Sequence, residues 1–220
     1  PIALASTIDK NGNVNLSPFS FFNLFSSNPP ILIFSPARRV RDNSTKDTLH
    51  NVLEVPEVVI GNVNFDMVQQ VSLSSTEYET GVDEFIKSGL TKKPAELVKP
   101  PLIAESPVNF ECKVIEVKPL GNEGGAGNLV ICEVLKIHIK EEFLNEEGNL
   151  DQKKLDLVSR LGGNWYGRTT AETLFEVPKP LVTKGIGFDQ LPSEIRNSKI
   201  FTGNDLGMLA NVEQLPEGNF

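Results

Sequence analysis

Two short stretches of this 220-residue chain concentrate side chains able to do chemistry. The first is Ser44-Thr45-Lys46-Asp47-Thr48, placed just before Leu49, Val52 and Leu53, which recur at helical spacing. With Ser44 as the N-cap, the first-turn N–H groups point outward, unpaired, at the positive end of the helix dipole, and that is an anion site. Lys46 and the hydroxyls of Thr45 and Thr48 add charge and donors, and Arg38, Arg39 and Arg41 lie just upstream. Asp47 orders that cluster or accepts from a ligand hydroxyl. An ordinary capped helix shows the same pattern, with Asp47 favouring the dipole and Lys46 in water. The second stretch interleaves Phe19, Phe21, Phe22 and Phe25 with Ser17, Ser20, Asn23, Ser26 and Ser27. The phenylalanines suit a core, but so many small polar groups need partners if buried. A flat heteroaromatic ligand with carbonyl and ring-nitrogen edges supplies them.

Other chemistries find little support. Gly121 to Asn128 is glycine-rich, but Val130 stands where a dinucleotide fingerprint needs its third glycine and a strand follows instead of a helix. It reads as a flexible hairpin loop. His50 and His138 are the only histidines, and neither has a partner at i+3 or i+4, so no metal site is expected. His138, between Ile137 and Ile139, is expected to face solvent. No G-x-S-x-G elbow occurs. Glu141-Glu142 and Glu146-Glu147 read as a solvated acidic surface. The two cysteines, Cys112 and Cys132, sit in apolar runs and read as buried reduced thiols of a cytoplasmic protein. A net charge of −8 argues against nucleic acid as the main partner. No apolar run approaches a membrane span, and no secretory leader is visible. The chain opens on Pro1, within a strand-like run, so further residues are expected upstream.

The elements that must position these groups are mostly strands. Ile2 to Ile8 and Asn13 to Ser20 flank Asp9-Lys10-Asn11-Gly12, a tight-hairpin signal. Pro29 and Pro30 punctuate before a strand from Ile31 to Ser35. Val58 to Val63 reads as a strand, and Phe65 to Leu73 and Val82 to Leu90 as short helices. Two long strands, Val108 to Leu120 and Leu129 to Lys140, each slip phase once, which predicts a bulge or strong coiling of the kind barrels need. Asp151 to Leu161 reads as a helix ended by Gly162-Gly163, and Thr170 to Val177 as a further strand. From Lys179 onward Gly, Pro and Asn increase around short apolar islands, as in an extension packed on the domain or on a neighbouring subunit.

Taken in order, PIALASTID, KNG, NVNLSPFSFFNLFSSNPPILIFSPARR, STKDTLHN, DMVQQVSLSSTEY, LVKPPLIAESPVNFEC and SRLGGNWYGR cover roughly Pro1 to Arg168. They resemble the flavin reductase-like, FMN-binding split-barrel family, particularly its flavoredoxin-like branch. The resemblance implies a mainly β fold with short helices: a Greek-key-type, six-stranded split β-barrel over residues 1–178 and an extension over 179–220. It implies a homodimer with one non-covalent FMN per subunit near the interface. Ser17, Pro18, Phe19, Ser20, Phe21 and Asn23 would face the ring and ribityl chain. Ser26, Ser27 and Ser35 would lie along the neighbouring strand. Arg38, Ser44, Thr45, Lys46, Asp47 and Thr48 would hold the phosphate end, and the stretch Gly163 to Tyr166, with Tyr166 as the contact, would approach the ring from the far part of the chain. No catalytic side chain is implied, because the flavin accepts hydride at N5 and the protein binds, orients and tunes it. The activity expected from the resemblance is NAD(P)H-dependent flavin reduction or flavin-mediated electron transfer to an unknown acceptor. The alternative is a flavin- or haem-binding split-barrel module without turnover.

Overall fold

The computed structural model describes residues 1–215 and divides the chain into two units, Pro1–Leu174 and Phe175–Phe220. The last five residues of the expected extension lie outside the described residues. In chain order the first unit carries β1 (Ala3–Ile8), β2 (Val14–Phe19), β3 (Phe22–Ser27), β4 (Pro30–Phe34), α1 (Asp47–Glu54) and β5 (Glu57–Asn62). It continues with α2 (Val68–Ser74), α3 (Glu84–Ser88), the two-residue strands β6 (Lys92–Lys93) and β7 (Leu102–Ile103), and the long pair β8 (Val108–Pro119) and β9 (Asn128–Ile139). It ends with α4 (Gln152–Leu155) and a small hairpin, β10 (Val158–Arg160) and β11 (Tyr166–Arg168). The second unit contains α5 (Ser193–Arg196) and α6 (Gly203–Leu209) around a small core of Leu191, Leu206 and Ala210.

Seven strands form one antiparallel sheet in the order β2-β1-β5-β8-β9-β4-β3. That is one more than the six expected, because Phe22 to Ser27 pairs with β4 as an outer strand. The sheet curls until its end strands meet, since β2 at one edge runs into β3 at the other through only Ser20 and Phe21. The rings of Phe19 and Phe34 lie 5.2 Å apart across the seam. The curl needs local extra twist, and β8 and β9 shift register at Glu111/Cys112 and again at Val114/Glu116.

Alternation then sorts side chains into two cores. Ala3 and Ala5 of β1, Val58 and Ile60 of β5, and Phe19, Phe34, Cys112 and Cys132 fill the barrel, and Leu49 and Val52 of α1 plug one end. Ile2, Leu4, Leu16 and Val59 face outward under Met67, Val71 and Phe85 of the helical layer. Both cysteines are free and buried, and burial pushes their thiols well up.

Several expectations change. The helix at Asp151 spans only Gln152–Leu155, because Asp156 turns left-handed at φ 48°. Its carboxylate is gripped by Arg168 through bonds of 2.7 and 2.6 Å, leaving Val158–Arg160 free to pair with Tyr166–Arg168. Thr170 to Val177 forms a single 3-10 turn, Ala171–Thr173, and no strand. The loop Gly121 to Gly127 is tied down: Arg38 and Ala126, Gly125 and Arg38, and Asn43 and Asn122 bond across it at 2.8–3.0 Å. His138 is only partly exposed and turns to a buried partner. Its Nε2 lies 2.5 Å from Glu111 Oε1, and that buried carboxylate also collects the N–H groups of Glu96, Leu97 and Val98. Burial works to raise the Glu111 carboxyl, and these donors hold it below its ordinary range.

Candidate functional site

The start of α1 differs from the expected cap. Lys46 occupies the N-cap position, extended and without a side-chain cap bond, so the helix begins three residues beyond Ser44. The physical reason is a tight turn upstream. Asn43 is left-handed at φ 57°, and Asp42 Oδ1 accepts both the N–H and the hydroxyl of Ser44 at 2.9 and 2.5 Å. Those bonds pull the Asp42 carboxyl down to about 2. Ser44 and Thr45 therefore serve Arg39, whose Nη1 donates to Ser44 Oγ at 3.0 Å and to the Thr45 carbonyl at 2.7 Å. The Thr45 hydroxyl also meets His50 Nε2 at 2.6 Å.

What α1 presents is still suited to an anion. The N–H groups of Asp47 and Thr48 have no acceptor among the described residues. Beside them Ser17, Asn15, Arg39, Lys46 and Thr48 line a narrow cleft of about 30 Å³, with Ser74, Ser75, Thr76, Glu77 and Tyr78 opposite. Lys46 lies 5.9 Å over the Phe19 ring and has no carboxylate partner among the described residues. Its ammonium is held below its ordinary range chiefly by burial and then by Arg39, with Glu77 opposing. Glu77 takes Arg39 at 3.3 Å and Arg41 at 3.2 Å, so an incoming anion competes with a carboxylate already in place. Thr48 spends its hydroxyl on Asn15 Oδ1 at 2.7 Å and contributes its backbone. Asn15 in turn donates to Glu84, whose carboxyl burial raises, opposed by the Leu16 N–H.

Ser75 also belongs to a larger cavity of about 530 Å³ on the same side of the barrel. Ile2, Pro18 and Ser20 form its floor, Gln69, Val71 and Ser72 of α2 one wall, and Arg160, Asn164 and Tyr166 of the β10–β11 hairpin the other. The result is a groove with a narrow cleft of mixed charge at one end and a room at the other large enough for a fused aromatic ring system. Pro18, which cannot donate to a ladder, and Ser20 lie in the last residues of edge strand β2 and just beyond it.

The expected site residues therefore divide. Ser17, Lys46, Asp47 and Thr48 line the cleft; Pro18, Ser20 and Tyr166 line the cavity; Phe19 lies beneath Lys46. Arg38 turns away to Asn43, at 2.6 and 2.7 Å, and its neighbour Arg39 takes the cleft. Phe21 and Asn23 are exposed on the seam side. Ser26 and Ser27 pair with Ile31 and Pro30 at the tip of the β3–β4 hairpin, and Ser35 is buried beside Gly127. None of these lines the groove. Sequence reasoning missed Gln69, Ser72, Ser75 and Arg160, while Asn164 falls within the expected Gly163 to Tyr166 stretch. The serine run Ser72 to Ser75 after an amphipathic helix was the available signal; nothing local marked Arg160.

No group of three or more potential metal ligands occurs among the described residues, and no described helix is long and apolar enough to cross a membrane. Residues 1–157 match the flavin reductase like domain. A protein of Halalkalibacterium halodurans with no assigned function is 37% identical over 84% of this chain and 87% of its own. Among solved structures, nitrilotriacetate monooxygenase component B from Bacillus cereus superposes with a TM-score of 0.73 and 27% identity, over 80% of this chain and 86% of that one. A Shewanella frigidimarina protein with a split barrel domain gives 0.69 and 25%, over 81% and 85% of the two chains.

Proposed function

Since the chain belongs to the flavin reductase-like family and folds as a split barrel, we propose that it binds FMN non-covalently along the groove. In this reading the bound flavin takes hydride from NAD(P)H at N5 and passes electrons to an acceptor, as a flavin reductase or a flavin-mediated electron carrier. The observation that carries the reading is the groove itself: a cleft that brings Lys46 and Arg39 to the unpaired start of α1, joined through Ser75 to a cavity of about 530 Å³. The donor set fits a phosphate monoester, since Lys46, Arg39 and two free backbone N–H groups converge there. The cavity fits a planar ring, with Pro18 on its floor and Tyr166 on its wall and amide and hydroxyl groups to meet the polar edge of the flavin. The protein's work is to fix the phosphate, seat the ring and leave one face open to a donor.

A homodimer belongs to the same proposal. Phe21, Leu24 and Phe25 are 68%, 55% and 64% exposed along the β2–β3 seam, more apolar surface than a monomer leaves bare without cause. Light scattering on the purified chain is expected to give twice the monomer mass.

The test is direct. Purified protein mixed with FMN is expected to retain yellow colour through gel filtration and release flavin on denaturation. Stopped-flow mixing with NADH or NADPH is expected to bleach it. A chain that neither retains FMN nor is thermally stabilised by it refutes the cofactor, and retention without bleaching refutes turnover alone.

A further inference from the structure

Among the described residues, Arg160 is the only charged side chain lining the larger cavity. Its setting is unlike that of the other arginines around the groove. Arg39 and Arg41 share Glu77, and Arg168 is locked on Asp156, whereas Arg160 has no carboxylate partner among the described residues. It is nonetheless held in place. Nη1 donates to the carbonyls of Leu161 and Trp165 at 3.0 and 3.2 Å, bridging the hairpin turn that carries it. The guanidinium lies 4.9 Å from the centre of the Tyr166 ring. The remaining guanidinium donors have no partner among the described residues. A half-buried, pre-positioned cation facing an otherwise neutral cavity is electrostatically incomplete, because an unpaired charge in a low-dielectric wall stabilises whatever negative charge appears opposite it.

We propose that Arg160 is a redox-tuning residue that binds the reduced flavin ring in preference to the oxidised one. The inference rests on the FMN reading above. Oxidised isoalloxazine is neutral; on taking up two electrons and one proton it becomes an anion, so the ring gains a negative charge while the phosphate does not change. The cleft at Lys46 therefore grips both redox forms alike, and the single cation of the ring cavity is the group that distinguishes them. Arginine stays protonated throughout the working pH range, so the preference is present at every pH where the reduced ring is anionic. The consequence is a higher two-electron potential than the same cavity would give without the charge, which favours accepting hydride and makes the reduced state a weaker donor.

The experiment measures Kd for oxidised FMN by fluorescence, and the midpoint potential of the bound flavin by dithionite titration against a reference dye, in wild type, Arg160→Gln and Arg160→Lys. In Arg160→Gln the reduced form is expected to lose about tenfold more affinity than the oxidised form, the scale of exchanging a charged for a neutral hydrogen-bond donor. Tenfold for a two-electron couple is a fall of about 30 mV. Arg160→Lys, which keeps the charge, is expected to stay within about threefold of wild type in that ratio. Equal loss of both redox forms in Arg160→Gln would mean that Arg160 only braces the hairpin, and overturns the proposal. So does an unmoved potential accompanied by a raised KM for NADH or NADPH, which would assign the cation to the donor. Wild type that fails to bind FMN fails the earlier reading; wild type that binds it, with a ratio unmoved in Arg160→Gln, fails this one alone.

Discussion

The two ends of the groove are built on opposite plans. The cleft at the start of α1 is crowded and charged: Lys46, Arg39, Glu77, Asp47 and Glu84 all line about 30 Å³. The cavity beyond Ser75 is some 530 Å³, with neutral amides and hydroxyls and one cation. The difference teaches how labour is divided. A tight, charged cleft discriminates by charge and fixes a ligand's position, whereas a roomy, neutral cavity admits a ring and a second reactant and alters the chemistry through a single group.

The largest expected effect breaks the comparison at the cleft. Lys46→Ala is expected to weaken FMN by about 1.5–3 kcal/mol, the value of a hydrogen bond to a charged group, and to leave riboflavin, which lacks the phosphate, unchanged. Equal losses for both ligands in a fluorescence titration would show that the cleft is not where the phosphate sits. Next, Gly124→Ala would place a methyl 3.1 Å from the Cα and the carbonyl oxygen of Val40, in the loop that aims Arg39. Overpacking there is expected to cost about 1–3 kcal/mol in denaturant unfolding and to weaken FMN more than riboflavin. Unaltered stability would show that the two loops are not rigidly coupled.

At the other end, Tyr166→Ala removes an aromatic wall and is expected to weaken FMN and riboflavin alike by about 0.5–1.5 kcal/mol. Loss confined to FMN would reverse the assignment of the two ends. Glu77→Gln sharpens the contrast in the opposite direction: freeing Arg39 is expected to tighten FMN by about 0.2–1 kcal/mol, the range of an exposed ion pair. Weaker binding would show that Glu77 organises the cleft and does not compete within it. The smallest effect is on pH dependence. Burial raises the Glu84 carboxyl above its ordinary 4.5, so the protonated form is favoured in the fold. Its contribution to stability is complete below pH 4.5 and is lost as pH rises through the raised value. Thermal melts of Glu84→Gln are expected to lack that decline; identical profiles for the two proteins would contradict it.

Legibility in the sequence follows the same division. The hairpin at Asp9 to Gly12, the long β8–β9 pair with its slips, and the helix after Lys46 were readable because each is set by neighbours within a few residues. Even there the cap was misplaced by two residues, since the competing turn at Asp42 to Ser44 satisfies the serine first. The pairing of His138 with Glu111 was not readable from local alternation. It depends on strand register and on a loop thirteen residues away delivering the Val98 N–H.

The sequence by itself determined that a cation-rich turn precedes a short helix, that alternating strands enclose a core, and that polar residues crowd the end of β2. Those properties are local and follow from side-chain chemistry and backbone period. Only the tertiary structure decided that Arg39 and not Arg38 enters the cleft, that Ser26, Ser27 and Ser35 lie away from the groove, and that Arg160 faces Pro18 across a cavity. The reason is that the groove's two walls are separated by more than eighty residues of chain. They meet only because the sheet curls until β2 meets the end of β4, and the β10–β11 hairpin packs back over α2.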